Sequence, residues 1–173
     1  MAYDAFLYFD PGEAIKIEGE TGDSKMKEKK AIQVYSFSWG LSNPTSGGHG
    51  SGMAAGKVSL SSLTIMKRVD TASAALQTMC ATGAHTTKDA FLVIRKSGGT
   101  VKDSQLPYLV YTLDEVFVES YSISGSGGGD DYPTESVSFA IGKVTFEYKM
   151  QKSDGSLDAA KNFSWNQVTN ATV

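Results

Sequence analysis

The sequence predicts a mainly β fold: a β-barrel of about eight antiparallel strands with one flanking α-helix and a long extended loop, a β-sandwich being the alternative packing of the same strands. Three observations predict it. Apolar residues alternate with period two through most of the 173 residues, as half-buried strands require. One segment, 71–82, carries the i, i+3, i+4 spacing of an amphipathic helix. The run YSISGSGGGDDYPTESVSFAIGKVTFEYKMQKSDGS, residues 121–156, joins two long apolar arms through a glycine-rich turn. Such a hairpin is too apolar to stand as a small exposed sheet.

Tyr3–Phe9 reads as the first strand and 14–18 as the second, split by the Asp10-Pro11-Gly12 turn. Residues 32–39 form the third, with Ile32 and Val34 on one face and Tyr35, Phe37 and Trp39 on the other. The stretch 40–56 is rich in glycine and serine and lacks periodicity, so it is expected to be a long loop. A strand resumes over 57–67, its apolar phase slipping between Leu60 and Leu63 as at a bulge or bend. In the helix, Ala72, Ala75, Leu76, Met79 and Cys80 make the buried stripe. Asp70 or Thr71 can cap its start, and Gly83 sits where a left-handed C-cap belongs. Residues 88–96 are strand, Ser97-Gly98-Gly99 a turn, and 108–124 a very long or bent strand. Beyond the glycine-rich turn, Val137, Phe139 and Ile141 share one face and Val144, Phe146 and Tyr148 the other register, with the slip at Gly142. The tail from Asp154 is mixed, with Phe163 and Trp165 as anchors.

A chain of this length is expected to be one domain, 1–173, able to bury a sizeable core. Its net charge of −3 argues against a protein built around nucleic acid. The one basic run, Lys25-Met26-Lys27-Glu28-Lys29-Lys30, reads as a solvated loop rather than a phosphate patch. A lone cysteine, Cys80, excludes an internal disulfide framework and fits a reducing cytosol, and reads as a small buried apolar group. The amino terminus has no basic and apolar leader regions, so no standard signal peptide is expected, and no run is apolar enough to span a bilayer. Several strands are apolar on both faces: Ala5, Leu7 and Phe9 against Phe6 and Tyr8, and Val116 and Val118 against Phe117 and Tyr121. One face of an antiparallel sheet is normally wet, so association between copies is expected to cover the second.

Chemistry is not expected. The run Gly125-Ser126-Gly127-Gly128-Gly129 lacks a following Gly-Lys-Ser/Thr, precedes Asp130-Asp131, and joins two strands, so it reads as a hairpin turn rather than a phosphate cradle. His49 and His85 sit in polar segments without a second ligand at metal spacing. No Gly-x-Ser-x-Gly elbow occurs, and Asp130, Asp131 and Glu135 lack the spacing of a calcium loop. Asn162-Phe163-Ser164 and Asn170-Ala171-Thr172 match the glycosylation sequon, a pattern short enough to recur by chance. No catalytic residue, metal ligand or cofactor is assigned.

A series of short motifs then acquires a family likeness. The series opens with MAYDAFLYF and continues with Ser38-Trp39-Gly40, Ala55-Gly56-Lys57-Val58 and Lys67-Arg68-Val69-Asp70 ahead of the helix to Cys80. After Thr82-Gly83 come Ile94-Arg95-Lys96-Ser97-Gly98-Gly99, residues 120–129 and Pro133-Thr134-Glu135-Ser136-Val137. Glu147-Tyr148, Gln151, Asp154-Gly155 and Ser164-Trp165-Asn166 complete it. In this order and spacing the chain resembles the Hcp family, the tube-forming proteins of bacterial type VI secretion systems, over essentially its whole length. Two positions depart from the family pattern: the Asp10-Pro11-Gly12-Glu13 turn is longer, and Thr71-Ala72-Ser73 lacks a proline often found there.

The resemblance implies a β-barrel with a flanking helix that forms hexameric rings, which stack into a hollow tube. Its partners would be sheath proteins outside, a spike at the tip and small effector proteins in the lumen, with neither nucleic acid nor membrane insertion. It implies that the extended loop reaches the adjacent ring through Asn43, Pro44, Thr45, Gly47, Gly48, His49, Gly50 and Ser51, and that Ser38 lies on the lumen wall. Trp39 and Phe117 are expected as packing anchors. The protein would be made in the bacterial cytoplasm and secreted to the extracellular space or a target cell, with no toxin extension after the tube domain. The competing reading from another class is a secreted β-sandwich binding module, lectin-like; a hydrolase would need a nucleophile and base that the sequence does not show.

Overall fold

The computed structural model describes residues 3–48, 51–96, 105–127, 132–153 and 156–173. Its strands are β1 (Tyr3–Phe9), β2 (Ile32–Val34), β3 (Ser36–Ser38), β4 (Leu41–Ser42), β5 (Thr45–Gly48), β6 (Ser51–Ala55), β7 (Ser59–Leu60) and β8 (Leu63–Arg68). The helix α1 (Ser73–Thr82) follows, then β9 (Ala90–Lys96), β10 (Pro107–Ser124), β11 (Thr134–Tyr148) and β12 (Lys161–Asn166). Eight of the strands form one antiparallel sheet in the order β2-β1-β9-β10-β11-β8-β3, with β12 also paired to β11. The two ends of that order are consecutive in the chain. Residues 32–39 are therefore not one strand but two, broken at Tyr35, whose N–H donates to the Met66 carbonyl at 2.8 Å. The break lets the chain leave β1 as a partner and take up β8, which nearly closes the barrel.

Alternation fills the interior. Leu7, Ile32, Leu63, Ile65, Leu92, Ile94, Leu113, Val137 and Phe139 are almost completely buried. Leu76 and Met79 of α1 join the same cluster, so the helix seals this core. The helix begins at Ser73, two residues later than its periodicity predicts, with Ala72 rather than Asp70 or Thr71 at the N-cap and no side-chain cap there; Asp70 instead organises the turn ahead of it. The Asp70 carboxylate accepts from the Ala72 N–H at 2.9 Å, while Ser73 Oγ accepts from the Asp70 N–H at 3.0 Å. It ends at Gly83, whose φ of 68° is the left-handed conformation that a glycine adopts without penalty. Cys80 is half-buried at the margin of the core rather than inside it.

The slip foreseen at Gly142 involves both arms of the long hairpin. Core phase in β11 passes from Ile141 to Val144, and in β10 from Leu113 to Val116, so the two strands turn over together. Glu115 faces the change at φ 53°. A Cβ on Gly142 would lie 2.8 Å from the Glu115 Cβ, so only glycine permits the approach. A second irregularity, between Val118 and Ser120, moves Tyr121 opposite Val137 on the core side. Tyr121 therefore does not share an outer face with Phe117, because the bulge adds one residue to the count.

Three other expectations are corrected. Residues 14–18 form no strand: Ile15 and Ile17 pack on the core but find no ladder partner. Residues 40–56 are not an aperiodic loop but the larger part of a paired ribbon, whose bonds come from backbone and so leave no trace in glycine and serine side chains. The strand expected over 57–67 is two, separated at Ser61 and Ser62. In the tail, Lys161–Asn166 is a strand, with Trp165 opposite Val144 and Phe163 opposite Phe146. The Ser97-Gly98-Gly99 turn and Asp154-Gly155 lie outside the described residues.

The chain itself covers part of the surface that was assigned to association. Phe6 and Val93 point outward from β1 and β9 yet are 2% and 4% exposed. Over them runs the segment that bonds Gly19 to Lys30 and Thr21 to Ala31. Its Asp23 pairs with Arg95, and the Arg95 guanidinium lies 4.7 Å from the centre of the Phe6 ring. Burial alone would raise the Asp23 carboxyl, but the Arg95 bond and the Met26 and Lys25 amides hold it below its ordinary value. The basic run 25–30 belongs to this cover and stays largely exposed, with Lys30 on Glu18 and Lys29 over the Tyr8 ring.

Candidate assembly surface

Beyond β3 and β8 the same two strands continue as an arm. Ser38 pairs with Thr64, Leu41 with Leu60, Thr45 with Ala55 and Gly48 with Ser51. Between the first two pairs, Trp39 and Gly40 face Ser61, Ser62 and Leu63; between the next, Asn43 and Pro44 face Gly56, Lys57 and Val58. The extra residue falls on the returning strand each time, and again between Ser46 and Gly48, so the arm is bent repeatedly in one sense. Bonds across the breaks keep it together: Ser61 N to Gly40 O at 2.9 Å and Gly56 N to Pro44 O at 2.8 Å. From 36 to 66 the only ionisable side chains are His49 and Lys57. Asn43, Pro44 and Thr45 are exposed on it, Gly47, Gly48 and Ser51 are in its terminal strands, and His49 and Gly50 lie outside the described residues.

Ser38 stands on the outward face of the barrel, and the register builds a surface around it. One row across four strands reads Ser38, Thr64, Ser138, Ser120; the next reads Ser36, Met66, Ser136, Ser122. Thr64 and Ser138 share a hydroxyl hydrogen bond of 2.9 Å. Two rows of four residues thus present seven hydroxyls, one thioether and no charge. The serines at 120, 122, 136 and 138 could have been found from their alternation with Tyr121, Val137 and Phe139; only the pairing joins them to Ser38.

Behind this face lies a charge cluster that the sequence reading missed. Lys67 and Glu135 are in phase with Ile65 and Val137 and are fully buried. Lys67 Nζ meets Glu135 Oε2 at 2.5 Å and Asp70 Oδ1 at 2.8 Å, and donates to Ser73 Oγ at 3.1 Å and the Arg68 carbonyl at 2.9 Å. Glu135 also accepts from Ser73 Oγ at 3.0 Å and from the Tyr121 hydroxyl. Burial, and then the bond to Glu135, push the Tyr121 phenol up to about 12. The cluster ties β8, β10 and β11 to the start of α1 and fixes the barrel wall on which the hydroxyl rows stand. It also removes Glu135 from any solvated calcium-binding turn.

Trp39 is half-buried at the root of the arm, edge-on to Tyr111 at 5.7 Å. Phe117 faces outward, 39% exposed, stacked on His85 at 4.7 Å; its neighbours Val116 and Val118 supply the core. The glycine-rich run joins β10 and β11 in antiparallel register, Ser124 opposite Thr134, as a hairpin does. Of β12, one edge pairs with β11, and exposed Phe163, Tyr148, Met150 and Val168 lie around it. Among the described residues no group of three His, Cys, Asp or Glu could hold a metal, and no helix is long and apolar enough to cross a membrane.

With this geometry in place, the comparisons with known proteins are coherent. The profile of the family described as type VI secretion system effector, Hcp, matches residues 7–148. The chain is 40% identical over 168 residues to protein hcp1 of Pseudomonas aeruginosa, covering 96% of each. It is similar to the crystal structure of Hcp1 from Salmonella typhimurium, with a TM-score of 0.77, 32% identity and 100% of both chains covered. A solved type six secretion system protein superposes with a TM-score of 0.86 at 31% identity, over 99% of this chain and 100% of that one.

Proposed function

This chain belongs to the Hcp family of type VI secretion system proteins, and from that premise we propose that it is a structural subunit of the secretion tube. Copies close into hexameric rings, rings stack head to tail, and the surrounding sheath drives the stack outward with small effectors in its lumen and a spike at its tip. Its work is geometric. Ring closure needs a surface that meets a different surface on the next copy; the outer edge of β12, with exposed aromatic groups around it, suits that role. Stacking falls to the arm at Asn43, Pro44, Thr45, Gly47, Gly48, His49, Gly50 and Ser51.

The observation that carries the reading is the pair of uncharged hydroxyl rows around Ser38. A sheet face exposed to water ordinarily mixes lysine, glutamate and threonine. A face of serine and threonine without charge neither attracts nor repels polypeptides of either sign, and its short side chains leave room for passage. Repeated around a ring, it makes a neutral wall that releases what it carries. Light scattering on a sizing column tests the reading: rings give a particle of roughly six times 18.5 kDa, or multiples of it. A monomer at high protein concentration would overturn it.

A further inference from the structure

The ribbon that carries the arm has two unlike ends. Past Ser38 and Thr64 it continues outward as the arm. At its other end, beyond the pair Ser36 and Met66, lies a pocket of about 180 Å³ whose lining includes Glu20, Gln33, Tyr35, Arg68 and Tyr132. The Arg68 guanidinium sits between two rings, 5.3 Å from the centre of Tyr35 and 5.6 Å from that of Tyr132. Both rings are exposed, at 48% and 56%, and Met66 beside them at 45%. Asp70, also in the lining, is held by Lys67. Among the described residues no carboxylate pairs with Arg68 or accepts from its N–H groups. An arginine lying over two exposed tyrosine rings, with no partner for its donors among the described residues, has the composition of an interface hot spot.

We propose that this pocket is the socket for the arm of a second copy of this chain. The proposal rests on the reading that rings stack, and it names the surface on which the arm lands. Arm and pocket occupy opposite ends of one ribbon, so a copy displaced along the ribbon brings its arm toward the next copy's pocket. Neither surface has to meet itself, which is the condition for an open, repeating contact. From Ser38 to Gly48 the arm spans about 30 Å at the usual rise of a strand, enough to cross a boundary between copies. The chemistry also matches. The arm's breaks at Asn43-Pro44 and Gly56-Lys57-Val58 interrupt its ladder, and although the Pro44 carbonyl is taken by the Gly56 N–H, a peptide carbonyl has a second lone pair that a guanidinium fork can use. Leu41, 49% exposed, is an apolar group for the tyrosine rings. Lys57, the arm's one lysine, is opposite in sign to Glu20, the lining carboxylate for which the described residues offer no partner.

The test uses the full chain and reads stack length by light scattering and electron microscopy. Tyr132→Ala and Arg68→Glu should leave ring-sized particles intact and lower the stacked fraction at least tenfold; Leu41→Asp, on the arm, should do the same. With Cys80 replaced by alanine, Ser42→Cys and Gln33→Cys together, which leave the two socket tyrosines in place, should give oxidised ladders longer than six subunits, a length no single ring can supply. Normal stacking of both socket variants, with stacking abolished by Leu41→Asp, would overturn the socket and leave the stacking reading in place. Wild-type protein that never exceeds ring size would overturn both. Ladders that stop at six place the contact within a ring and also refute the socket.

Discussion

Replacing Lys67 by methionine removes the one cation of the cluster that ties the helix to the barrel. The methionine keeps most of the volume and leaves Glu135 buried without its counter-ion. Removing one partner of a buried pair costs about 3–5 kcal/mol, because the remaining charge is not resolvated. Glu135 retains two donors, Ser73 Oγ and the Tyr121 hydroxyl, which puts the expectation near 3 kcal/mol. For a chain of this size that corresponds to a fall in Tm of roughly 6–12 °C. Adding Glu135→Leu removes the stranded charge, and the double variant should recover to within about 1–2 kcal/mol of wild type, the residue being the unpaired Ser73 and Asp70 groups. Urea unfolding at one fixed protein concentration measures all three proteins, and the two single variants with the double complete a cycle whose coupling isolates the pair. A loss below about 0.5 kcal/mol for Lys67→Met, or a double variant worse than the sum of its singles, would refute the argument that the pair is held by mutual compensation.

The Tyr121 phenol, pushed up to about 12 against about 10 in an unfolded chain, contributes stability that is complete below pH 10 and lost as the pH rises through 12. Alkaline denaturation should show this loss, and Tyr121→Phe should remove it. Asp23 has the opposite sign: its lowered carboxyl contributes stability above the ordinary carboxylate range that disappears as the pH falls below it, and an acid melt of Asp23→Asn should lack that step. Gly142→Ala places a methyl group against Glu115 and should cost about 1–3 kcal/mol by urea unfolding, while Glu115→Gly, which relieves φ 53°, should be neutral or stabilising. An aspartate at Gly48 should shorten stacks seen by light scattering while ring mass is unchanged; loss of the ring with a stable monomer would count against the role given to the arm.

What the sequence made legible follows the reach of side-chain periodicity. The stripe Ala72, Ala75, Leu76, Met79, with Gly83 behind it, specified the helix because propensity, pattern and cap agree. The slip at Gly142 was legible because a change of buried face breaks the alternation. The arm was not, since its ladder is built from backbone groups and its glycines and serines have no apolar phase to read. Residues 14–18 misled for the converse reason: Ile15 and Ile17 alternate because they face the core, but a strand also needs a partner, and pattern is silent on partners. Lys67 and Glu135 carried a signal, each being charged at a position in phase with core residues. Only their meeting across β8 and β11 turns two anomalies into one pair.

By itself, then, the order of residues determined the class of fold, the helix, the long hairpin and the family likeness, all of which depend on neighbours within a few positions. The tertiary structure decided the rest. It brought the barrel close to closure by breaking a strand at Tyr35, covered Phe6 and Val93 with the chain's own segment, and aligned serines from four strands into one uncharged face. It also set Arg68 between Tyr35 and Tyr132. These features join residues distant in sequence, and register between strands is set by the packing of the whole sheet rather than by any strand alone.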